Sequence, residues 1–237
     1  MKAALIIIGN EILSGRTKDK NLAYLAEWLN EIGIQLYEVR VIRDDESEII
    51  DCVNLLRKKY NYVFTTGGIG PTHDDITTES IAKAFKVDLE TNPEALRILK
   101  GYYKEGELNE ARLKMTLLPQ GAELVENPVT KAPGFKMENV FVMAGIPSIM
   151  QGMLEGARKF LKVGSKMTSK SIDVFMPEST VAGELSKIQD NFNNVEIGSY
   201  PFNKEGQFGT SLVMRSADLE SLGRCEDEIA KMIKKLA

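Results

Sequence analysis

The sequence predicts an α/β protein: a three-layer α/β/α domain built on a mostly parallel sheet, followed by a small α+β domain. Three observations predict it. The chain opens on a continuous apolar run, residues 3–8, that ends at Gly9. Unbroken apolar runs suit parallel strands buried on both faces, whereas a half-exposed strand would alternate. Strand-like and helix-like segments then follow one another in turn, which calls for parallel strands joined by crossover helices. The character finally changes across residues 162–169, where Gly164-Ser165 and Thr168-Ser169 make a polar linker. The expected domains are therefore residues 1–164 and 165–237.

Each element has its own signal. After the first strand, Leu22, Leu25, Ala26 and Leu29 fall on one helical face, so residues 20–31 read as a helix stopped by Gly33. Residues 35–42 read as a second strand, 46–59 as a second helix and 62–65 as a third strand. A helix is expected at 75–85, then one at 93–103, announced by Asn92-Pro93, and one at 109–115. Residues 123–125 and 140–143 are short β-rich runs, and Pro147 opens a helix to about residue 161. Beyond the linker the expected order is strand 171–175, helix 178–192, strands 195–200 and 207–215, and helix 219–236. That β-α-β-β-α order describes a small α+β domain.

The 237 residues are 43% hydrophobic and 27% charged, with a net charge of -4. Each expected domain carries a slight acidic excess, so no basic domain is concealed and binding to nucleic acid or a membrane surface through general electrostatics is not expected. Cys52 and Cys225 are far apart and share no metal-ligand spacing. They read as free thiols in a reducing cytoplasm. The N-terminal apolar run is too short for a signal peptide, and no run approaches membrane-spanning length.

The chemistry is expected where strands end, because ligands of open α/β sheets bind beyond the carboxyl ends of the strands, near a reversal of strand order. Four loops qualify: Gly9-Asn10-Glu11, Arg43-Asp44-Asp45, the turn Gly67-Gly68-Ile69-Gly70-Pro71-Thr72-His73-Asp74-Asp75, and Ala144-Gly145-Ile146-Pro147-Ser148. The glycine turn lies between a strand and a helix, where backbone N–H groups hold anions. It is neither a P-loop, since Pro71-Thr72 replaces the Lys-Ser/Thr ending, nor a dinucleotide fingerprint. Its adjacent carboxylates would repel a phosphate unless a cation lay between them. This points to a phosphate-bearing ligand and a metal, at a single site containing Glu11, Asp44, Asp74 and Asp75.

Each residue also has a plainer reading. Asp74 and Asp75 suit a helix cap, Thr72 and Asp75 matching a capping box. Asp44 and Asp45 suit the start of the helix at 46–59. Glu11 suits a solvated turn. His73 is the single histidine, which leaves oxygen ligands and so Mg²⁺ or a similar ion; it reads as a phosphate contact, a proton carrier or a surface loop residue. Lys114 suits a solvated helix face or, like Lys131, an offset to diphosphate charge. Gly206-Gln207-Phe208-Gly209 has the spacing of an RNA-binding KH loop, but it falls between two strands of an acidic tail, and no RNA binding is expected there.

The run from Thr66 to Thr77, Thr-Gly-Gly-Ile-Gly-Pro-Thr-His-Asp-Asp-Ile-Thr, resembles the signature of the molybdopterin-binding domain superfamily. The similarity is strongest to the N-terminal part of competence/damage-inducible protein A (CinA) and to the molybdopterin-binding-like domain of FAD synthase. Gly9-Asn10-Glu11-Ile12-Leu13-Ser14-Gly15, Asp19 with Asn21, Asn127, Ala132-Pro133-Gly134-Phe135 and Gly145-Ile146-Pro147 support it over about the first 160 residues. The tail, with Ile197-Gly198-Ser199-Tyr200-Pro201, resembles CinA's small KH-like domain. Lys131 stands where the family has Gly-Thr, and Ala144 where it has proline. No counterpart of CinA's amidohydrolase domain lies within these residues, so nicotinamide-nucleotide deamidation is not carried over.

The resemblance implies a metal-dependent hydrolase of a nucleotide pyrophosphate such as ADP-ribose or FAD, or else a molybdopterin- or nucleotide-binding or adenylyl-transfer protein of molybdenum-cofactor metabolism, or a non-catalytic ligand-binding module. Implied cofactors are Mg, Mn or Co, with potassium and molybdopterin as further candidates. Catalysis would fall to Asp44, Asp74 and Asp75, which would also hold the metal. Binding would fall to Gly9, Asn10, Glu11, Gly67, Gly68, Ile69, Gly70, Thr72, His73, Lys114, Gly145 and Pro147. A homo-oligomer is implied as well.

Overall fold

The computed structural model describes residues 1–104, 106–204 and 206–236. The chain divides into two compact units, Met1–Gly164 and Ser165–Ala237. The first unit runs β1 (Lys2–Ile8), α1 (Asn10–Leu13), α2 (Asn21–Glu31), β2 (Gln35–Ile42), α3 (Glu46–Lys59), β3 (Tyr62–Thr66), α4 (Thr77–Phe85), β4 (Leu89–Thr91), α5 (Pro93–Tyr102), α6 (Glu110–Lys114), β5 (Leu117–Pro119), β6 (Glu123–Val125), β7 (Gly134–Met137), β8 (Val140–Met143) and α7 (Pro147–Ala157), with a 3-10 turn at Arg158–Phe160.

Its main sheet has the order β2-β1-β3-β8-β7-β6. β2, β1, β3 and β8 are parallel, and β7 and β6 add an antiparallel edge. A separate antiparallel pair joins β4 to β5. β1 shows why the domain has three layers. Ala3, Leu5 and Ile7 pack with α2 and α7 around Leu25, Trp28, Met150 and Leu154. Ala4, Ile6 and Ile8 pack with α3 and α4 around Ile49, Val53, Leu56 and Ile81. Successive strand side chains point to opposite faces, so an unbroken apolar strand satisfies both cores. Phe64 and Phe141 stack across neighbouring strands at 5.0 Å.

β2 lies on one side of β1 and β3 on the other. The strand order therefore reverses between β1 and β3, whose carboxyl ends are Ile8 and Thr66, each followed by a glycine.

The second unit runs β9 (Thr168–Val174), α8 (Glu178–Asn191), β10 (Glu196–Lys204), β11 (Gln207–Ser216) and α9 (Leu219–Leu236). Its antiparallel sheet has the order β10-β11-β9, and Val181, Leu185, Leu212, Met214, Leu222 and Ile229 fill its core. Gly206 and Gln207 fall in a strand hairpin, as the sequence suggests.

Several boundaries differ from the sequence reading. The helix expected from residue 75 begins at Thr77, because Asp75 folds back on Thr72 to close its own turn. β9 begins at Thr168, inside the expected linker, where pairing with Ser216 of β11 extends it. The short strands β4, β5 and β7 escape the sequence pattern. β7 is hidden by Pro133 and Gly134, which read as loop, and is recruited by pairing with β8.

Candidate functional site

The loops after β1, β2, β3 and β8 meet at one cavity of about 660 Å³, lined in part by Glu11, Asp44, residues 67–72, Asp74, Asp75, Gly145 and Pro147. The volume suits a small-molecule site. Of the expected site residues, Gly9, Asn10, His73 and Lys114 do not line it.

The glycine turn is built by close approach. Gly67 has φ 110° and Gly68 φ 68°, left-handed values that side chains disfavour. A Cβ on Gly67 would strike the Ile8 carbonyl, and one on Gly68 the Thr77 hydroxyl. Glycine thus lets the third strand's turn sit against the end of the first. The Gly67 N–H donates to Met143 O (3.1 Å), fixing the turn to β8. Among the described residues, the N–H groups of Gly68, Ile69 and Gly70 have no protein acceptor. At the start of α4 the Thr77 N–H is spent on the turn, donating to Gly68 O (2.9 Å). The candidate anion cradle on the cavity wall is the glycine turn, whose residues line the cavity while Thr78 and Glu79 do not.

Each adjacent acidic pair divides its labour. Asp45 caps α3 by accepting from the Glu48 N–H (3.0 Å), while Asp44 lines the cavity and accepts from the Asn10 N–H (2.8 Å). Asn10 is thereby a backbone strut between the first and second loops. Asp75 accepts from the Thr72 N–H (2.8 Å) and hydroxyl, holding the turn closed. Asp74 is exposed, and the nearby Thr72 hydroxyl and its own backbone N–H hold its carboxyl below the usual carboxylate range.

Among the described residues, no three His, Cys, Asp or Glu side chains gather into a metal-holding group. Asp44 and Asp75 each spend an oxygen on a backbone N–H. The residues present do not assemble a preformed metal site.

Lys114 has a different task from the one its sequence position suggests. Its ammonium donates to the carbonyls of Thr72 (3.1 Å) and Asp75 (3.0 Å), so it clamps the turn from behind. Asn21 donates to Gly145 O (2.8 Å), tying the β8 loop to α2. Asn127 donates to Thr130 and Ala132 and accepts from Val129 and Thr130 N–H groups, organising the cavity wall from 127 to 132. Lys131 in that segment has φ 64°, a left-handed conformation that suits glycine better than a side chain. Ala144, standing for a proline, donates its N–H to the Met153 sulfur (3.4 Å). Sequence reasoning missed Tyr103, Arg112 and Thr17, which also line the cavity; no local pattern distinguishes them from surface residues.

With this geometry in view, the relatives are informative. Residues 4–162 match the model of the "Probable molybdopterin binding domain" family. The chain belongs to this molybdopterin-binding family. Residues 166–237 match the "FAD synthase, middle domain" family. A protein of Archaeoglobus fulgidus is 36% identical over 201 residues, covering 85% of this chain and 86% of that one. A CinA-like protein of Kosmotoga olearia is 34% identical over 230 residues; the match covers 93% of this chain but 55% of that protein. A crystal structure of CinA from Thermoplasma acidophilum is 35% identical, with a TM-score of 0.62, covering 68% of this chain and 98% of that one. The molybdopterin-binding-like fold and the CinA-like character of the first unit are thus established by sequence and structure together. No helix among the described residues is long and apolar enough to cross a membrane.

Proposed function

We propose that the first unit is a binding module for a phosphorylated small molecule of the pterin or nucleotide class, held with a phosphate on the backbone of residues 68–70. One observation carries this reading: three N–H groups without protein acceptors among the described residues belong to a glycine turn at the strand-order reversal, on the wall of a cavity of about 660 Å³. Such a nest supplies anion binding without side chains. The molybdopterin-binding family match and the FAD synthase match support a pterin or a nucleotide as the ligand. The two buried free cysteines support a reducing, cytoplasmic setting.

Calorimetric titration with ADP-ribose, FAD, AMP and molybdopterin, each with and without Mg²⁺, tests the reading. Saturable binding of at least one is expected; no binding by any would remove it.

A second reading, hydrolysis of ADP-ribose or FAD, is favoured by the carboxylates of Glu11, Asp44, Asp74 and Asp75 on the same cavity. The lack of a three-carboxylate metal group among the described residues weighs against it. Release of AMP with Mg²⁺, Mn²⁺ or Co²⁺ that disappears in Asp74→Asn would establish it. Asp74 is the cleaner choice because Asp75 also holds the turn.

A further inference from the structure

The geometry points to Arg112, set against the ring of Tyr103, as the side chain that pairs with the phosphate of the bound ligand. The inference rests on the proposed phosphate-binding role of the cavity and names the cation that serves it.

Charge balance raises the question. Four carboxylates, from Glu11, Asp44, Asp74 and Asp75, line the cavity. A phosphate on the glycine turn therefore meets a negative wall that a nearby cation would offset better than backbone dipoles alone. Arg112 is the one Lys or Arg side chain among the described residues that lines this cavity. Lys114, two residues on, does not line it, because its ammonium is spent on the Thr72 and Asp75 carbonyls.

Arg112 is also held in place. Its guanidinium carbon lies 4.2 Å from the centre of the Tyr103 ring, and one of its nitrogens donates to the Glu107 carbonyl. The backbone N–H of Arg112 is in turn fixed by the Asn109 cap of α6 (3.0 Å). Among the described residues no carboxylate forms an ion pair with it. Stacking on an aromatic face and one backbone bond leave part of the five-donor fork for a ligand. A planar fork with no ion-pair partner among the described residues, half-buried on a cavity wall rich in carboxylates, suits a phosphate oxygen pair.

The test uses the full chain with inorganic diphosphate, ADP-ribose and adenosine as probes, titrated into the unmodified protein, Arg112→Met, Tyr103→Phe and Tyr103→Leu. Arg112→Met is expected to weaken diphosphate and ADP-ribose binding by about 10-fold or more, the loss typical of a hydrogen bond to a charged group. The response to adenosine, which carries no phosphate, should be the same as that of the unmodified protein. Tyr103→Phe keeps the stacking face and should bind as the unmodified protein, whereas Tyr103→Leu should lose affinity for the phosphorylated probes alone. Equal binding of ADP-ribose by Arg112→Met and the unmodified protein would overturn the inference while leaving the cavity's role intact. An equal loss for adenosine and ADP-ribose would also overturn it, since a purely structural role affects both. Failure of the unmodified protein to bind any phosphorylated probe would remove the phosphate-binding role itself, and the assignment of Arg112 with it.

Discussion

Adjacent acidic residues in this protein take different tasks despite identical side chains. Asp44 lines the cavity and Asp45 caps a helix; Asp74 stands exposed on the wall and Asp75 closes the turn. Asp75→Ala should therefore release Thr72, lowering both the melting temperature and the affinity for phosphorylated ligands. Asp74→Asn should leave the melting temperature within about 1 °C, as expected for a surface change; thermal scans of the two variants side by side decide it. Lys131 offers the opposite case. It holds a left-handed backbone at φ 64°, which costs a side chain about 1–2 kcal/mol. Lys131→Gly should stabilise the protein by about 0.5–1 kcal/mol after the extra freedom of glycine in the unfolded chain is discounted, measured by urea denaturation. The sequence flagged the segment around Lys131 as a departure from the family motif, but its left-handed backbone is visible only in the structure. It gave no warning about Lys114, whose partners lie 42 and 39 residues away.

At the scale of elements, β1 was legible because both of its faces are apolar, a pattern that only a doubly covered strand requires. β4, β5 and β7 were not, since each is only three or four residues long and exists through its partner strand. β2 is an edge strand and carries a charged network that ties it to α3. Glu38 accepts from Lys59 (2.7 Å), the Tyr60 hydroxyl (2.6 Å) and Arg40 (2.7 Å). These donors lower its carboxyl to about 2. A carboxylate with a depressed pKa in the folded state contributes stability that is present above its unfolded value, 4.5, and is lost as pH falls towards 2. Denaturation followed across that window should show a decline in stability that is flatter in Glu38→Gln. An identical pH slope in the two proteins would mean the network contributes nothing measurable.

For the molecule as a whole, the polar linker read from Gly164 and Ser165 coincides with the division into two compact units, each with its own apolar core. Residues 1–164 produced alone should unfold cooperatively and retain the full chain's affinity for ADP-ribose; a tenfold loss of affinity would assign residues 165–237 a part in the site. The sequence by itself determined the strands of the sheet's parallel part, the loops that follow them and the glycine turn, because apolar periodicity and glycine's backbone freedom are local properties. Tertiary structure alone decided which carboxylates face the cavity, that Lys114 is a clamp and that Arg112 is the cation on the wall. Those outcomes depend on contacts such as Asn10 with Asp44, 34 residues apart, and the direction of a side chain is set by what the rest of the fold brings to meet it.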